Sequence, residues 1–281
     1  KKIHIIAVCG KAMASLAELL IEAGYEVSGS DTSFFPPMGT LVKQMKMTVF
    51  DTFNEQNIID TNPDIIVVGN AIGPGNVETA YARMHNIAQI SVADALKYFI
   101  FKDKKVIVVS GTHGKTTTTG MLAHVLTGCG LNPGYLIGGV DRETQKSAYL
   151  GSGEYFVIEG DEYDTAYFDK SPKFLNYGAH SGIITSVEMD HVDIYDDLND
   201  YKQAFTFFAQ GLSPQGVLLA CSDHASVREI AANSAAPVYS YGLSSYIQEM
   251  PFAKGEFVAK NIRIEKIINA SGKMVLVSKL L

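Results

Sequence analysis

Val106-Ile107-Val108-Val109-Ser110-Gly111-Thr112-His113-Gly114-Lys115-Thr116-Thr117-Thr118-Thr119 decides how this chain is read. The apolar run 106–109 has the β-branched content of a strand buried on both faces, and the turn after it opens a helix. Such a turn offers backbone N–H groups and a helix N-terminus to phosphate, with Lys115 placed for β- and γ-phosphate oxygens and Thr116 for Mg²⁺. The usual G-x-x-x-x-G-K-[ST] spacing would need glycine at position 109, where Val109 stands, so the loop is a shortened G-x-x-G-K-T form.

Two acidic segments follow apolar strands further along. Glu159-Gly160-Asp161-Glu162-Tyr163-Asp164 comes directly after the run 156–158, and Glu188-Met189-Asp190-His191-Val192-Asp193 comes just after 183–185. Ligands of α/β sheets sit at the carboxyl ends of strands, and carboxylates there are the hard oxygen donors that Mg²⁺ takes beside phosphate. His191 can bind metal through a neutral imidazole. Upstream, Gly10 follows the first strand and Asp31 ends the second, which resembles the spacing of a dinucleotide-binding turn and its ribose-binding acid, although Ala7 and Ala14 stand near places where further glycines are expected.

Working outward, short apolar blocks alternate with segments of helical period: strands at 3–8, 25–30 and 65–68 with helices at 12–23, 36–47 and 92–101, then a charged stretch at 102–105. This alternation predicts parallel α/β architecture. Beyond the phosphate loop come a helix at 121–126, strands at 156–159, 183–185 and 217–220, helices at 198–209 and 225–232, and alternating strands at 257–264 and 274–277. The expected fold is an N-terminal Rossmann-like parallel-sheet domain over residues 1–101 followed by a phosphate-loop, ATP-binding domain over 102–281. At 281 residues the chain is long enough for two cores. A net charge of −7 without blocks of like charge gives no support for a nucleic-acid surface, and no apolar run approaches the ~20 residues a bilayer needs. The three cysteines, Cys9, Cys129 and Cys221, lack metal-ligand spacing and fit a reducing cytoplasm. A phosphate-loop kinase or GTPase also fits the loop taken alone, but no N-K-x-D guanine motif is present.

The segment 111–118 (GTHGKTTT), the E-x-D-E segment and the D-H-x-D segment, in that order behind a nucleotide-type domain, resemble the Mur ligase family of ATP-dependent amide-forming enzymes. Cys9-Gly10 with Met13, Ser30-Asp31 followed by Pro36-Pro37-Met38, Gly69-Asn70-Ala71, Asp161-Glu162-Tyr163-Asp164 with Phe168-Asp169-Lys170, and the segment 190–198 are similar to one branch of it. That branch joins UDP-N-acetylmuramate to the cell-wall tripeptide L-alanyl-γ-D-glutamyl-meso-diaminopimelate in peptidoglycan recycling; a neighbouring branch uses L-alanine in de novo synthesis. The resemblance implies ATP and Mg²⁺ as cofactors, with Gly111, Thr112, His113, Gly114, Lys115, Thr116 and Thr117 around ATP. It implies Thr116, Glu159 and His191 as metal ligands, and Lys115, Glu159 and His191 as the catalytic set. Gly10, Met13, Asp31 and Asn70 would lie at the UDP-sugar.

Three departures accompany the resemblance. Ser186 stands where the family often has Asn, and Thr206 lies near the place of a lysine that is carbamylated in some relatives. The G-x-H-N-x-x-N segment that introduces the family's third, amine-binding domain is not in this sequence, which begins at Lys1 rather than Met. The expectation is therefore a chain carrying the first two domains, able to bind nucleotide and UDP-sugar but inactive in ligation by itself.

Overall fold

The computed structural model describes residues 1–139, 146–190, 195, 197–243 and 247–259, together with two strands between 262 and 280. The first elements alternate strictly: β1 (Lys2–Ile6), α1 (Lys11–Glu22), β2 (Glu26–Ser30), α2 (Met38–Gln44), β3 (Thr48–Phe50), α3 (Glu55–Thr61), β4 (Ile65–Val68), α4 (Val77–Met84), β5 (Ala88–Ser91) and α5 (Val92–Ala95). All pairings are parallel, in the order β3-β2-β1-β4-β5. Parallel strands need crossover connections and cover on both faces, which is why β1 is buried at four of five positions and α1 lays Met13, Leu16, Leu19 and Leu20 on the sheet. Gly24, at φ +85°, supplies the left-handed residue just beyond α1. The winding direction reverses between β1 and β4, so the turns after these two strands diverge and open a crevice.

One polar cluster lies inside this sheet. His4 and Glu78 are both fully buried. Glu78 accepts from Ser30 Oγ at 2.5 Å and Asn57 Nδ2 at 2.7 Å, with His4 Nε2 at 3.7 Å, and His4 Nδ1 meets Ser28 Oγ at 2.9 Å. Burial pushes the Glu78 carboxyl up, but the contacts with His4, Ser30 and Asn57 outweigh it and hold the group below the ordinary carboxylate value.

The chain then forms β6 (Lys105–Ser110), α6 (Lys115–Gly128), β7 (Gly134–Leu136), β8 (Ala148–Tyr149), β9 (Tyr155–Glu159), β10 (Asp164–Ala166), β11 (Asp169–Pro172), β12 (Ser181–Ile184), α7 (Leu198–Gln210), β13 (Leu218–Cys221), α8 (Ala225–Ala231), β14 (Val238–Gly242) and β15 (Gly255–Val258). The eight-stranded sheet runs β15-β14-β13-β12-β6-β9-β7-β8 and is parallel except for the β7–β8 pair. β6 therefore lies between β12 and β9, which brings three strand-end loops to one edge. β10 and β11 form an antiparallel pair, as do β16 (Ile262–Ile268) and β17 (Met274–Leu280).

The single strand expected over 257–264 is instead divided. β15 closes the large sheet beside β14, while β16 belongs to the terminal hairpin. The helix expected over 36–47 is limited to Met38–Gln44.

The two sheets share a continuous core. α5 runs on into a π-helical turn, Leu96–Ile100, and Phe101 then packs against Phe156 at 5.0 Å and edge-on to Tyr177 at 5.9 Å. α1 is tied to the β8 region by Ser15 Oγ to Ser147 Oγ at 3.0 Å and Lys146 to Glu18 at 3.4 Å. Among the described residues no helix is long and apolar enough to cross a membrane.

Candidate active site

β6 delivers its loop at the centre of the large sheet. Gly111 adopts φ +128° and Gly114 φ +83°. A Cβ on Gly111 would lie 2.2 Å from Thr185 Oγ1 and 2.8 Å from the Ser186 carbonyl oxygen, so the loop and the segment after β12 approach as closely as only glycine allows. The two segments are stitched together. Thr112 N donates to Ser186 O at 2.8 Å, His113 N to Ser186 Oγ at 3.0 Å, Thr185 Oγ1 to His113 O at 2.6 Å, and Glu188 N to Thr112 Oγ1 at 3.0 Å. Ser186, the departure from the family's usual residue, thus supports the loop through its own hydroxyl. α6 starts at Lys115 without a side-chain cap, leaving its first-turn amides and positive end available to an anion.

Lys115 curls over the loop. Its Nζ donates to Gly111 O at 2.6 Å and to Glu162 Oε1 at 2.8 Å, with Thr112 O at 3.4 Å. On the same side, Thr116 Oγ1 donates to Glu159 Oε2 at 3.1 Å, and Gly138 N donates to Glu159 Oε1. A Cβ on Gly138 would fall 2.6 Å from the Glu159 carboxylate, so that glycine leaves room for the acid at the end of β9. Thr116 and Glu159 form an oxygen-only donor pair beside the loop, the chemistry Mg²⁺ prefers, with room for phosphate and water oxygens to complete the set. Lys115 and the uncapped α6 terminus fit the phosphates of ATP.

Lys115 and Glu159 face a cavity of about 380 Å³ between the two large sheets, lined among others by Lys11, Ser15, Asp161 and Tyr163, while Thr116 is exposed and joins it only through its bond to Glu159. Asp161 is held by Lys173 at 2.7 Å. The N-terminus of α1 thereby reaches the same space as the phosphate loop.

The other expected residues distribute as follows. Gly10 is the N-terminal boundary of α1 and is exposed, and Asn70 is exposed in the turn after β4, so both edge the crevice of the first sheet. Met13 is 5% exposed and packs beneath these turns as core. Asp31 is buried and accepts from Cys9 N at 2.9 Å, Thr32 N at 2.7 Å and Ser33 N at 3.0 Å, joining the turns after β1 and β2. Burial, then the Asp31 charge, push the Cys9 thiol up to about 11. Ala7 takes φ +65°, a glycine-type conformation at a place where the dinucleotide pattern calls for glycine. His191 lies outside the described residues. Thr206 Oγ1 donates along α7 to Lys202 O at 3.0 Å. His113 and Thr117 are exposed at the loop. Sequence reasoning placed Glu162 in an acidic cluster but gave it no role, and it missed Tyr201, whose hydroxyl donates to Glu162 Oε1 at 3.1 Å.

Residues 109–276 match the Mur ligase middle domain, and residues 2–102 match the Mur ligase family, catalytic domain. A Haemophilus influenzae UDP-N-acetylmuramate–L-alanyl-gamma-D-glutamyl-meso-2,6-diaminoheptandioate ligase is 39% identical over 232 residues, covering 83% of this chain and 51% of the relative. A Clostridium tetani UDP-N-acetylmuramate–L-alanine ligase is 34% identical over 265 residues, covering 94% and 54%. The crystal structure of a UDP-N-acetylmuramate:L-alanyl-gamma-D-glutamyl-meso-diaminopimelate ligase from Neisseria meningitides superposes with a TM-score of 0.82 at 31% identity, covering 99% of this chain and 84% of that one. The chain spans about half the length of the curated relatives it matches. With its two large sheets matched by family models and the middle-domain match alone covering more than half of the residues, the chain belongs to the Mur ligase family.

Proposed function

We propose that this chain is the nucleotide- and UDP-sugar-binding part of an ATP-dependent ligase that joins UDP-N-acetylmuramate to L-alanyl-γ-D-glutamyl-meso-diaminopimelate through an acyl phosphate, in peptidoglycan recycling in the cytoplasm. Residues 1–101 act as the UDP-sugar domain and 102–281 as the ATP domain. The carrying observation is that Lys115 and Glu159, the latter bonded to Thr116, line a cavity that α1 of the first sheet also lines. A sugar seated in the crevice between β1 and β4, at Gly10 and Asn70, would extend its lactyl carboxylate toward that cavity.

Lys115 neutralises charge that develops as the carboxylate attacks the γ-phosphate, and the α6 terminus orients the phosphates for in-line transfer. Thr116 and Glu159, with His191, would hold Mg²⁺, which would supply charge neutralisation between carboxylate and phosphate. The chain supplies position and charge rather than a covalent step. The tripeptide reading is supported by the 39% identity to ligases named for it and by the 0.82 TM-score of a solved structure so named, while ligases named for L-alanine reach 34–38% identity.

Two measurements test this. Lys115→Ala should weaken ATP binding by calorimetry while leaving UDP-N-acetylmuramate affinity unchanged; equal ATP affinity in both proteins would sink the site. Phosphate release by the full-length gene product with UDP-N-acetylmuramate, ATP and Mg²⁺ should depend on tripeptide more than on L-alanine, and the reverse preference would move the chain to the other branch.

A further inference from the structure

The contact between Lys115 and Glu162 joins a partly buried cation, 18% exposed, to a carboxylate that is 2% exposed. Glu162 is itself fixed from two sides. Tyr201 Oη donates to the same Oε1 at 3.1 Å, and Tyr195 Oη donates to the Glu162 backbone oxygen at 2.9 Å. Tyr201 is fully buried and stands edge-on to Tyr195 at 4.8 Å and to Phe205 at 5.1 Å, so its hydroxyl is held by packing on α7. Burial, and next the Glu162 charge, push that hydroxyl far above the ordinary tyrosine value, which keeps its proton on as a donor.

We propose that Glu162 is the positioning residue of the phosphate-loop lysine: anchored by Tyr201 and Tyr195, it fixes the Lys115 ammonium so that one N–H points into the cavity for the γ-phosphate of a nucleoside triphosphate. The inference rests on the nucleotide-binding reading above. An ammonium has three donors. Gly111 O takes one at 2.6 Å and Glu162 Oε1 a second at 2.8 Å, while Thr112 O at 3.4 Å is too distant to hold the third firmly. The rotamer freedom a loose lysine would surrender on meeting phosphate is thus already lost. Nucleotide adds to the open side of Lys115 rather than replacing Glu162, because Glu162 without its cation would be a buried, uncompensated charge. A lysine held by a buried glutamate while it contacts phosphate is the arrangement protein kinases use on an unrelated fold.

The test is a double-mutant cycle on ATP affinity, measured by calorimetry in Mg²⁺ on this chain as wild type, Lys115→Met, Glu162→Gln and the double variant, with far-UV circular dichroism to confirm folding. Glu162→Gln should weaken ATP by about tenfold. In the Lys115→Met background the same change should cost less than about twofold, since Glu162 acts only through Lys115. Tyr201→Phe, a smaller change that decides the matter should Glu162→Gln not fold, should weaken ATP a few-fold in the wild type and not in Lys115→Met. Unchanged or tighter ATP binding in Glu162→Gln, or in Tyr201→Phe where that variant decides, overturns the inference. So does a loss that persists without Lys115, which would mark a merely structural role. Both of those results leave the nucleotide site standing. If the wild type binds no ATP, or Lys115→Met loses nothing, the nucleotide reading itself fails and the inference goes with it.

Discussion

Replacing Gly111 by alanine separates two costs that a phosphate loop imposes on its backbone. The added Cβ would stand 2.2 Å from Thr185 Oγ1 and 2.8 and 2.9 Å from backbone atoms of Ser186. Thr185 is pinned by bonds to Ser110 O at 3.1 Å and His113 O at 2.6 Å, and backbone cannot step aside, so the loop and the β12 segment must separate. Overpacking of this kind costs about 1–3 kcal/mol. A non-glycine residue at φ +128° adds about 1–3 kcal/mol of strain. The sum, about 2–6 kcal/mol, is a large share of the stability of an ordinary domain. Gly130→Ala is the control. Its φ is +76° but nothing lies within 4 Å, so only conformational strain of about 1–2 kcal/mol remains. Gly114→Ala, at φ +83° with equally open space, should match that control in stability while sitting in the loop. Urea unfolding followed by circular dichroism gives the comparison from the shift in midpoint at constant m. Gly111→Ala should be at least about 1 kcal/mol worse than Gly130→Ala. Equal midpoints would show that the close approach to Ser186 is not what requires glycine there.

Glu78→Gln should destabilise the first sheet by about 2–3 kcal/mol at neutral pH. Because the folded carboxyl lies below its unfolded value of about 4.3, its contribution is present above that value and is lost as the pH falls through the lower folded one. The variant's stability should therefore vary less with acid, and parallel unfolding curves for the two proteins between neutral pH and pH 3 would contradict the assignment. Ala7→Gly should raise stability by up to about 1 kcal/mol by relieving φ +65°, and a lower urea midpoint would argue that the alanine methyl packs usefully there. Glu159→Ala should weaken ATP binding about tenfold in Mg²⁺ and far less in EDTA; equal losses in both would remove Glu159 from the metal site.

The phosphate loop was legible because its signal is local: apolar strand, glycines, lysine and threonine stand in consecutive positions, and β6 covers the expected strand, although α6 opens at Lys115, six residues before the helix expected over 121–126. Glu159 was legible for the same reason, as the last residue of a buried strand. The Lys115–Glu162–Tyr201 contact was not, because its members come from three elements, and what joins them is the order β12-β6-β9 and the packing of α7. Met13 and Asp31 show the converse. Spacing gives no sign of the packing role each also has: Met13 sits in the core and Asp31 accepts from three backbone amides. Short strands such as β3 and β5 carry too few residues for their pattern to stand out.

The bonds between the phosphate loop and the segment after β12 also impose an order of events on a ribosome. Thr112 is translated 76 residues before Glu188, its partner in two hydrogen bonds, and β6 gains its neighbours β9 and β12 only once those later strands have been made. A nascent chain that ends before Glu188 has the glycines and the lysine without the brace that shapes them, so the proposed nucleotide pocket should mature late during synthesis. Long-range pairing of this kind slows folding and leaves apolar strand edges exposed meanwhile. Nucleotide present in the cell would then meet a finished pocket and stabilise it by mass action only after the central strands have closed.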